Sequence, residues 1–121
     1  DEGFMRDVAE NAKHQGGSVR VTDDIDAAYR GADFVYAKSW GSLGYYGRWE
    51  EEKPIREQLK HFIVDARKMA LTNGAKFSHC LPMRRNVKAT DEVVDAPYSV
   101  IYDEAENRLH TTKAVLASIL G

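Results

Sequence analysis

The 121-residue sequence contains little of what several classes of protein require. Its one cysteine excludes an internal disulfide and favours a reducing, cytoplasmic setting. Its net charge of −2 leaves no excess of cations to replace the counterions of a nucleic acid. No apolar run approaches the roughly 20 residues that span a bilayer, and no signal peptide is visible. We therefore expect a cytoplasmic protein of one domain at most, without nucleic-acid or membrane partners.

Helical and strand patterns alternate along the chain. In order, they predict helix 2–14, strand 18–22, helix 25–30, strand 34–37, a helix from Pro54 to about 73 with a break near 62–64, strand 75–80, a helical turn over 90–95, strand 98–102 and a helix from Asp103 onwards. The strand-helix-strand unit over residues 18–37 predicts a right-handed parallel crossover. The expected fold class is α/β, a three-layer, mostly parallel sheet of Rossmann-like type.

Several residues predict where the helices begin. Asp23 or Asp24 is suited to cap the short helix 25–30, because a short side-chain oxygen accepts a backbone N–H there. Asp65 is suited to begin a new helical segment after the break, and Thr90 to begin the helical turn that follows. Pro54 suits the first turn of its helix, where no backbone N–H is needed.

The strand predicted at 75–80 leads into a basic loop. Pro82 breaks the apolar pattern, and Arg84, Arg85 and Lys88 then place three cations within five residues. Ligands of open α/β sheets bind just beyond the carboxyl ends of the strands, so this loop is a candidate anion site. A solvated surface loop is the alternative.

A loop rich in glycine and aromatic residues, 38–49, follows the strand predicted at 34–37. Loops of about 12 residues without secondary structure are uncommon in compact domains and often bind ligands. The carboxyl ends of parallel strands meet at one sheet edge, so we expect Lys38 near the basic loop, where it can meet a substrate carboxylate. Packing of the aromatic side chains into a satellite cluster is the alternative.

The string His-Cys-Leu-Pro at 79–82, followed by Arg-Arg-Asn at 84–86, closely resembles the signature of ornithine-type transcarbamylases. Lys88 and the Lys-Ser-Trp at 38–40 narrow the likeness to the N-acetylornithine branch, since the ornithine enzymes have Ser-Met-Gly in place of 38–40. The resemblance covers essentially the whole chain. It implies that residues 1–121 are part of an incomplete carboxyl-terminal, ornithine- or acetylornithine-binding domain, without the carbamoyl-phosphate domain.

The resemblance implies an enzyme of arginine biosynthesis that needs no cofactor or metal. It would transfer the carbamoyl group of carbamoyl phosphate to the side-chain amine of N-acetyl-L-ornithine, giving N-acetyl-L-citrulline and phosphate. The site residues that it implies are Cys80 and Leu81 against the carbamoyl group, Arg108 on the phosphate or carbonyl oxygen, Lys38 on acetylornithine, and Arg84 near either substrate.

Lys88 matches a lysine that can be carboxylated in the acetylornithine branch, so the resemblance implies an N6-carboxylysine there. A carbamate would relieve the repulsion from Arg84 and Arg85, and an unmodified surface lysine is the alternative. The resemblance also implies a homotrimer in the whole enzyme. The phosphate-binding Ser-x-Arg-Thr motif of the family does not occur in this sequence, so we expect this chain alone to be nearly inactive.

Cys80 also suggests a thiolate nucleophile. The only base near it in the sequence is His79, whose side chain is expected on the opposite face of the strand. We therefore expect direct attack by the amine, with the thiol at most orienting the substrate. Two other functions stay open, a transcarbamylase for N-succinylornithine or ornithine, and a non-catalytic α/β module that binds a protein or a small anion.

Overall fold

The computed structural model describes residues 2–38 and 43–121. In these residues the helices are α1 (Glu2–His14), α2 (Ile25–Tyr29), α3 (Trp49–Gln58), α4 (Ala66–Met69), α5 (Asp91–Val94) and α6 (Ile101–Leu120), and the strands are β1 (Phe34–Tyr36) and β2 (Lys76–Ser78). Two short 3-10 turns cover Leu43–Tyr45 and Lys60–Phe62. Part of the predicted binding loop, 39–42, lies outside the described residues.

The sheet of the described residues is parallel and has two strands, β1 and β2. Residues 34–36 of β1 lie opposite residues 76–78 of β2. A parallel bridge between Phe77 and Ser99 extends the pairing, and another bridge joins Val64 to Ala89. The predicted α/β class with a parallel sheet is confirmed.

The core forms around β2. Phe77 is fully buried, and its backbone N–H and carbonyl bond to Tyr98 and Val100 at 3.0 and 2.8 Å. The core residues are Val35, Ala37, Val64, Met69, Ala75, Phe77, Ala89, Val93, Val94 and Ile101. Because they come from both strands and from α4, α5 and α6, the core fixes the relative positions of the elements that carry the basic loop.

Local capping explains several helix boundaries. The Asp24 carboxylate accepts the Ala27 N–H at 3.0 Å, and the Asp65 carboxylate accepts the Lys68 N–H at 2.8 Å. The predicted break near 62–64 is also confirmed, because α3 ends at Gln58 and α4 begins after Asp65. Thr90 occupies the N-cap position of α5, but its hydroxyl makes no capping hydrogen bond.

The predicted strand at 18–22 is wrong. These residues form neither a strand nor a bridge in the structure, and Val21 is 80% exposed. Alternation favours a strand only where a partner strand completes its hydrogen bonds, and no described segment pairs with 18–22. The parallel crossover therefore runs from β1 to β2 rather than from 18–22 to β1.

The predicted strand at 98–102 is also wrong beyond its one bridge at Ser99. Helix α6 begins at Ile101, two residues earlier than predicted, and Ile101 is buried in the core. The acids Asp103 and Glu104 thus lie in its first turn, where the helix dipole favours negative charge.

Pro54 does not begin its helix. Helix α3 begins at Trp49, and the Glu52 N–H already donates to the Arg48 carbonyl at 3.1 Å. Three acids in the first turn, residues 50–52, favour this earlier start, which leaves the proline inside the helix. None of the described helices, α6 included, is both long and apolar enough to cross a membrane.

Candidate functional site

Side chains from β1, β2 and α6 meet at the carboxyl edge of the sheet. The Lys38 ammonium donates to the Cys80 sulfur at 3.1 Å, and the Ser78 hydroxyl donates to the Glu104 carboxylate. We call Tyr36, Lys38, Ser78, Cys80 and Glu104 the sheet-edge cluster. It brings Lys38 and Cys80, two of the sequence-predicted site residues, into direct contact across 42 positions of sequence.

The cluster stabilises the negative form of its thiol. The hydrogen bond from Lys38, followed by one from Tyr36, lowers the pKa of Cys80 below its ordinary value, while the Glu104 charge acts in the opposite direction. The hydrogen bond between Tyr36 and Cys80, together with burial and Glu104, raises the pKa of Tyr36 to about 12. Lys38 is thus both the cation of the site and the group that sets the charge of the thiol.

His79 is turned away from this chemistry. The residue is 2% exposed, and its Nδ1 accepts the Leu81 N–H at 2.9 Å. Burial, and then the charge of Lys38, lowers its pKa, so the ring is neutral and its proton lies on Nε2. Within the described residues the buried Nε2 has no hydrogen-bond partner. Lys38 therefore donates to the Cys80 sulfur, and His79 does not act as a base for the thiol.

The backbone after Cys80 turns sharply. Leu81 has a φ of 44°, in the left-handed region that a leucine rarely adopts, and a cis peptide bond joins it to Pro82. The hydrogen bond from the Leu81 N–H to His79 fastens this turn to the buried end of β2. The basic loop begins immediately after it.

The basic loop and α3 enclose a cavity of about 350 Å³. We call it the cationic cavity; it is lined by Lys53, Arg56, Glu57, Lys60, Ile63, Arg84, Asn86, Val87 and Lys88. Arg84 and Lys88 face into it together because the Lys88 N–H donates to the Arg84 carbonyl at 3.1 Å, closing a turn.

Arg85 does not take part in the predicted anion site. Its guanidinium bonds to Asp91 at 2.6 Å and to Asp95 at 2.9 Å, so it forms ion pairs with α5 and with the residue that follows α5. Two of the three loop cations therefore line the cavity and the third anchors the loop. Of the three cations, the structure brings Arg84 and Lys88 together.

Lys88 is buried, at 7% exposure. Burial, and then the charges of Arg84 and Arg56, lowers its pKa, and the charge of Glu52 raises it. Glu52 is itself buried and pairs with Arg56 at 3.5 Å. Lys88 therefore lies in an electrostatic environment that disfavours its positive charge.

Arg108 is exposed on α6, one helical turn after Glu104. Among the described residues its guanidinium forms no hydrogen bond or ion pair, so the structure does not join it to either group of side chains.

The sequence reasoning missed Tyr36, Ser78 and Glu104. Tyr36 and Ser78 are register partners at the ends of β1 and β2, and that strand-end position was the available signal. Glu104 gave no such signal, because an acid in the first turn of a helix is ordinary. It also missed Arg56, since its predicted helix carried no functional assignment.

The fold and the position of these groups define an α/β domain that presents a small-molecule site at the carboxyl edge of its sheet. The Asp/Orn binding domain of the aspartate/ornithine carbamoyltransferases matches residues 1–119. The chain belongs to this family.

The sequence identity to individual relatives differs between the N-acetylornithine and the ornithine enzymes of this family. The chain is 62% identical, over 100% of its length, to the N-acetylornithine carbamoyltransferase of Xanthomonas campestris pv. campestris, and 43% identical, over 99%, to the chloroplastic ornithine carbamoyltransferase of Pisum sativum. A crystal structure of acetylornithine transcarbamylase complexed with acetylcitrulline matches 100% of the chain with a TM-score of 0.88 and 62% identity. A variant N-acetyl-L-ornithine transcarbamylase, complexed with carbamyl phosphate and N-succinyl-L-norvaline, matches 98% with a TM-score of 0.85 and 63% identity.

The chain spans only about a third of these proteins. It covers 36% of the Xanthomonas campestris enzyme, 32% of the Pisum sativum enzyme and 36% of each crystallised chain.

Proposed function

We propose that residues 1–121 form the amino-acid-binding part of an N-acetylornithine carbamoyltransferase. The enzyme transfers the carbamoyl group of carbamoyl phosphate to the side-chain amine of N-acetyl-L-ornithine, giving N-acetyl-L-citrulline and phosphate, as a step of arginine biosynthesis. The observation that carries the proposal is the 3.1 Å contact between Lys38 and Cys80 at the carboxyl edge of the sheet. In this chain the Lys-Ser-Trp string and the His-Cys-Leu-Pro string contribute to one site.

Carbamoyl transfer requires positioning and charge stabilisation. The neutral amine attacks the carbamoyl carbon, a C–N bond forms, the C–O bond to phosphate breaks, and the amine loses a proton. In our proposal the ammonium of Lys38 holds the carboxylate of acetylornithine, so that the amine reaches the carbamoyl carbon. Cys80 and Leu81 accept hydrogen bonds from the carbamoyl amide through their backbone carbonyls.

The cations of the site act on the phosphate side. Arg108 holds the phosphate or the carbonyl oxygen as negative charge develops, because a guanidinium donates two parallel hydrogen bonds to an oxyanion. Arg84 acts as a further catalytic cation, and its positive charge acts on both substrates. The thiol of Cys80 orients the substrate and forms no covalent intermediate.

Lys88 is proposed to carry a carboxylated side-chain nitrogen. The amine must be neutral to react with CO₂, and its lowered pKa increases the neutral fraction. The resulting carbamate would be attracted by Arg84 and Arg56 and would replace a repulsion with an ion pair. Carbon-13 NMR of the chain in labelled bicarbonate tests this, since Lys88→Arg must abolish any carbamate signal that belongs to Lys88.

The compartment and oligomeric state that we propose follow from the resemblance to the N-acetylornithine enzymes. The whole enzyme is a cytoplasmic homotrimer without nucleic-acid or membrane partners, and this chain contributes a partial acetylornithine-binding domain. Because the carbamoyl-phosphate domain is absent from these residues, the chain by itself is expected to have almost no activity.

A product assay tests the proposal. Carbamoyl phosphate is supplied with N-acetylornithine, N-succinylornithine or ornithine, to this chain alone and to the chain joined to the carbamoyl-phosphate domain of a relative. We expect turnover only from the joined protein, fastest with N-acetylornithine. Preference for succinylornithine or ornithine would move the assignment to those enzymes. A folded joined protein that carbamoylates none of them would leave the non-catalytic binding module.

A further inference from the structure

We propose that Glu104 is a positioning residue for acetylornithine: its carboxylate holds the negative charge of the sheet-edge cluster away from Lys38, so that the Lys38 ammonium is available to the substrate carboxylate. This inference rests on the proposed function, because it concerns the same Lys38 contact. It adds a residue of α6 that the sequence motifs do not include.

The ammonium of Lys38 has two competing partners. In the structure it donates to the Cys80 sulfur at 3.1 Å, and in the proposed reaction it binds the carboxylate of acetylornithine. A neutral thiol is a weak acceptor that a carboxylate displaces, whereas a thiolate forms an ion pair with the ammonium. The protonation state of Cys80 therefore decides how strongly the substrate must compete for Lys38.

Glu104 is held where its charge does not occupy Lys38. Its carboxylate accepts a hydrogen bond from the buried hydroxyl of Ser78, at the end of β2. The hydroxyl of Tyr36, at the end of β1, bonds to both Glu104 and Cys80. Among the residues that the structure describes, Glu104 and Lys38 form no ion pair with each other. Hydroxyl groups rather than the ammonium therefore stabilise this carboxylate.

The charge of Glu104 favours the neutral thiol. Ionisation of Cys80 would place a second negative charge near Glu104, which is costly. The hydrogen bonds from Lys38 and Tyr36 lower the pKa of Cys80, and burial and the charge of Glu104 raise it. The neighbouring His79 is buried and neutral, so it brings no charge to this balance. Without the Glu104 charge, the thiol loses its proton at lower pH.

The effect depends on where the negative charge lies and not on its amount. With Glu104 ionised and Cys80 protonated, the charge of Lys38 is balanced by a carboxylate that hydroxyl groups hold. With Glu104 neutralised and Cys80 ionised, it is balanced by a sulfur at 3.1 Å. The long-range attraction of a substrate carboxylate is the same in both cases. Only in the second case must the substrate break an ion pair to reach Lys38.

The test is the KM for N-acetylornithine as a function of pH, measured on the chain joined to the carbamoyl-phosphate domain of a relative. Glu104→Gln removes the charge and keeps an oxygen that can accept from Ser78. Glu106→Gln is the matched control, because it removes an exposed acid of the same helix outside the cluster. Tyr36→Phe removes a hydrogen bond that lowers the pKa of Cys80, so it should act in the opposite direction.

We expect the KM to rise at high pH as Cys80 ionises. Glu104→Gln should move this rise to lower pH and give an about fivefold higher KM at neutral pH, whereas Tyr36→Phe should move it to higher pH. Glu106→Gln should stay within about twofold of the original at every pH, and so should the KM for carbamoyl phosphate in all variants. Titration of the substrate amine is common to all of them, so the differences report the thiol.

The Cys80→Ala background gives the decisive comparison. Without a thiol, adding Glu104→Gln should no longer change the pH dependence of the KM for N-acetylornithine. A change that persists there overturns the inference, as does an original pH profile that Glu104→Gln leaves in place. If Glu104→Gln does not fold, Tyr36→Phe at its exposed position decides, and an unmoved profile overturns the inference. A folded joined protein of the original sequence without any turnover contradicts the proposed function itself.

Discussion

Two lysines of this domain are buried to nearly the same degree, and they face opposite surroundings. Lys68 is 4% exposed and Lys88 is 7% exposed. The Lys68 ammonium donates to the His61 carbonyl at 2.8 Å and to the Ile63 carbonyl, and it lies 3.5 Å from the Asp65 carboxylate. Lys88 instead lines the cationic cavity with two arginines; burial and their charges lower its pKa, while the charge of Glu52 raises it. Burial alone does not mark a functional lysine; the charges that its ammonium faces do.

The surroundings of Lys68 explain the break in the helical segment before it. Where α3 ends and a 3-10 turn follows, backbone carbonyls lose their helical partners. The Lys68 ammonium supplies the missing hydrogen bonds by donating to the carbonyls of His61 and Ile63. The backbone N–H of Lys68 in turn donates to the Asp65 carboxylate. One side chain therefore fastens the start of α4 to the end of the preceding turn.

The largest expected effect comes from removing that ammonium. Lys68→Met keeps the aliphatic stem but leaves two carbonyls and the Asp65 carboxylate without their cation. We expect a loss of about 3 kcal/mol in the free energy of unfolding, measured by urea denaturation. Lys113→Met, at an exposed position of α6, should change it by less than about 0.5 kcal/mol. Equal stability of the two variants would show that Lys68 is not a structural tie.

Local signals were sufficient for this break. Asp65 follows a run that ends the helical pattern, and a short acidic side chain at that point predicts a cap without knowledge of the rest of the fold. The strand predicted at 18–22 failed because a strand needs a distant partner, which alternation does not supply. The same limit applies to Glu104, whose contact with Ser78 spans 26 positions of sequence.

The candidate site was predictable only in part for the same reason. Parallel strand ends share an edge, so the proximity of Lys38 and Cys80 followed from the order of the elements. Nothing local distinguished Arg85 from Arg84, since their separation into anchor and cavity wall depends on Asp91 and Asp95 in the folded loop. Arg56 was equally hidden, because the face that α3 presents is decided by its packing.

A third lysine, Lys38, extends the comparison to the reactivity of a thiol, where we expect a smaller effect. Lys38 is exposed, but its ammonium contacts a thiol and lowers the pKa of Cys80. We expect Lys38→Met to raise that pKa and to slow alkylation of Cys80 by iodoacetamide about tenfold at neutral pH, because only the thiolate reacts. Glu104→Gln should act in the opposite direction and speed the reaction, because the Glu104 charge raises the same pKa. An alkylation rate that neither change alters would mean that the cluster does not control the thiol.

In buffer without bicarbonate, where the Lys88 nitrogen carries no carbamate, Lys88→Met should have the smallest effect on stability, since it removes a charge that burial and its neighbours Arg84 and Arg56 disfavour. We expect a change within about 1 kcal/mol at neutral pH, in contrast to Lys68→Met. Its signature is a pH dependence. A lysine whose pKa is lowered by folding binds fewer protons in the folded chain than in the unfolded chain, so the free energy of unfolding rises with pH between the lowered pKa and the ordinary value of 10.5.

The difference between the original chain and Lys88→Met isolates this rise from other groups that titrate at high pH. We expect the original chain to gain stability relative to the variant as the pH increases toward 10.5. A difference that is independent of pH would place the Lys88 ammonium in surroundings as neutral to its charge as water, and would end the contrast with Lys68.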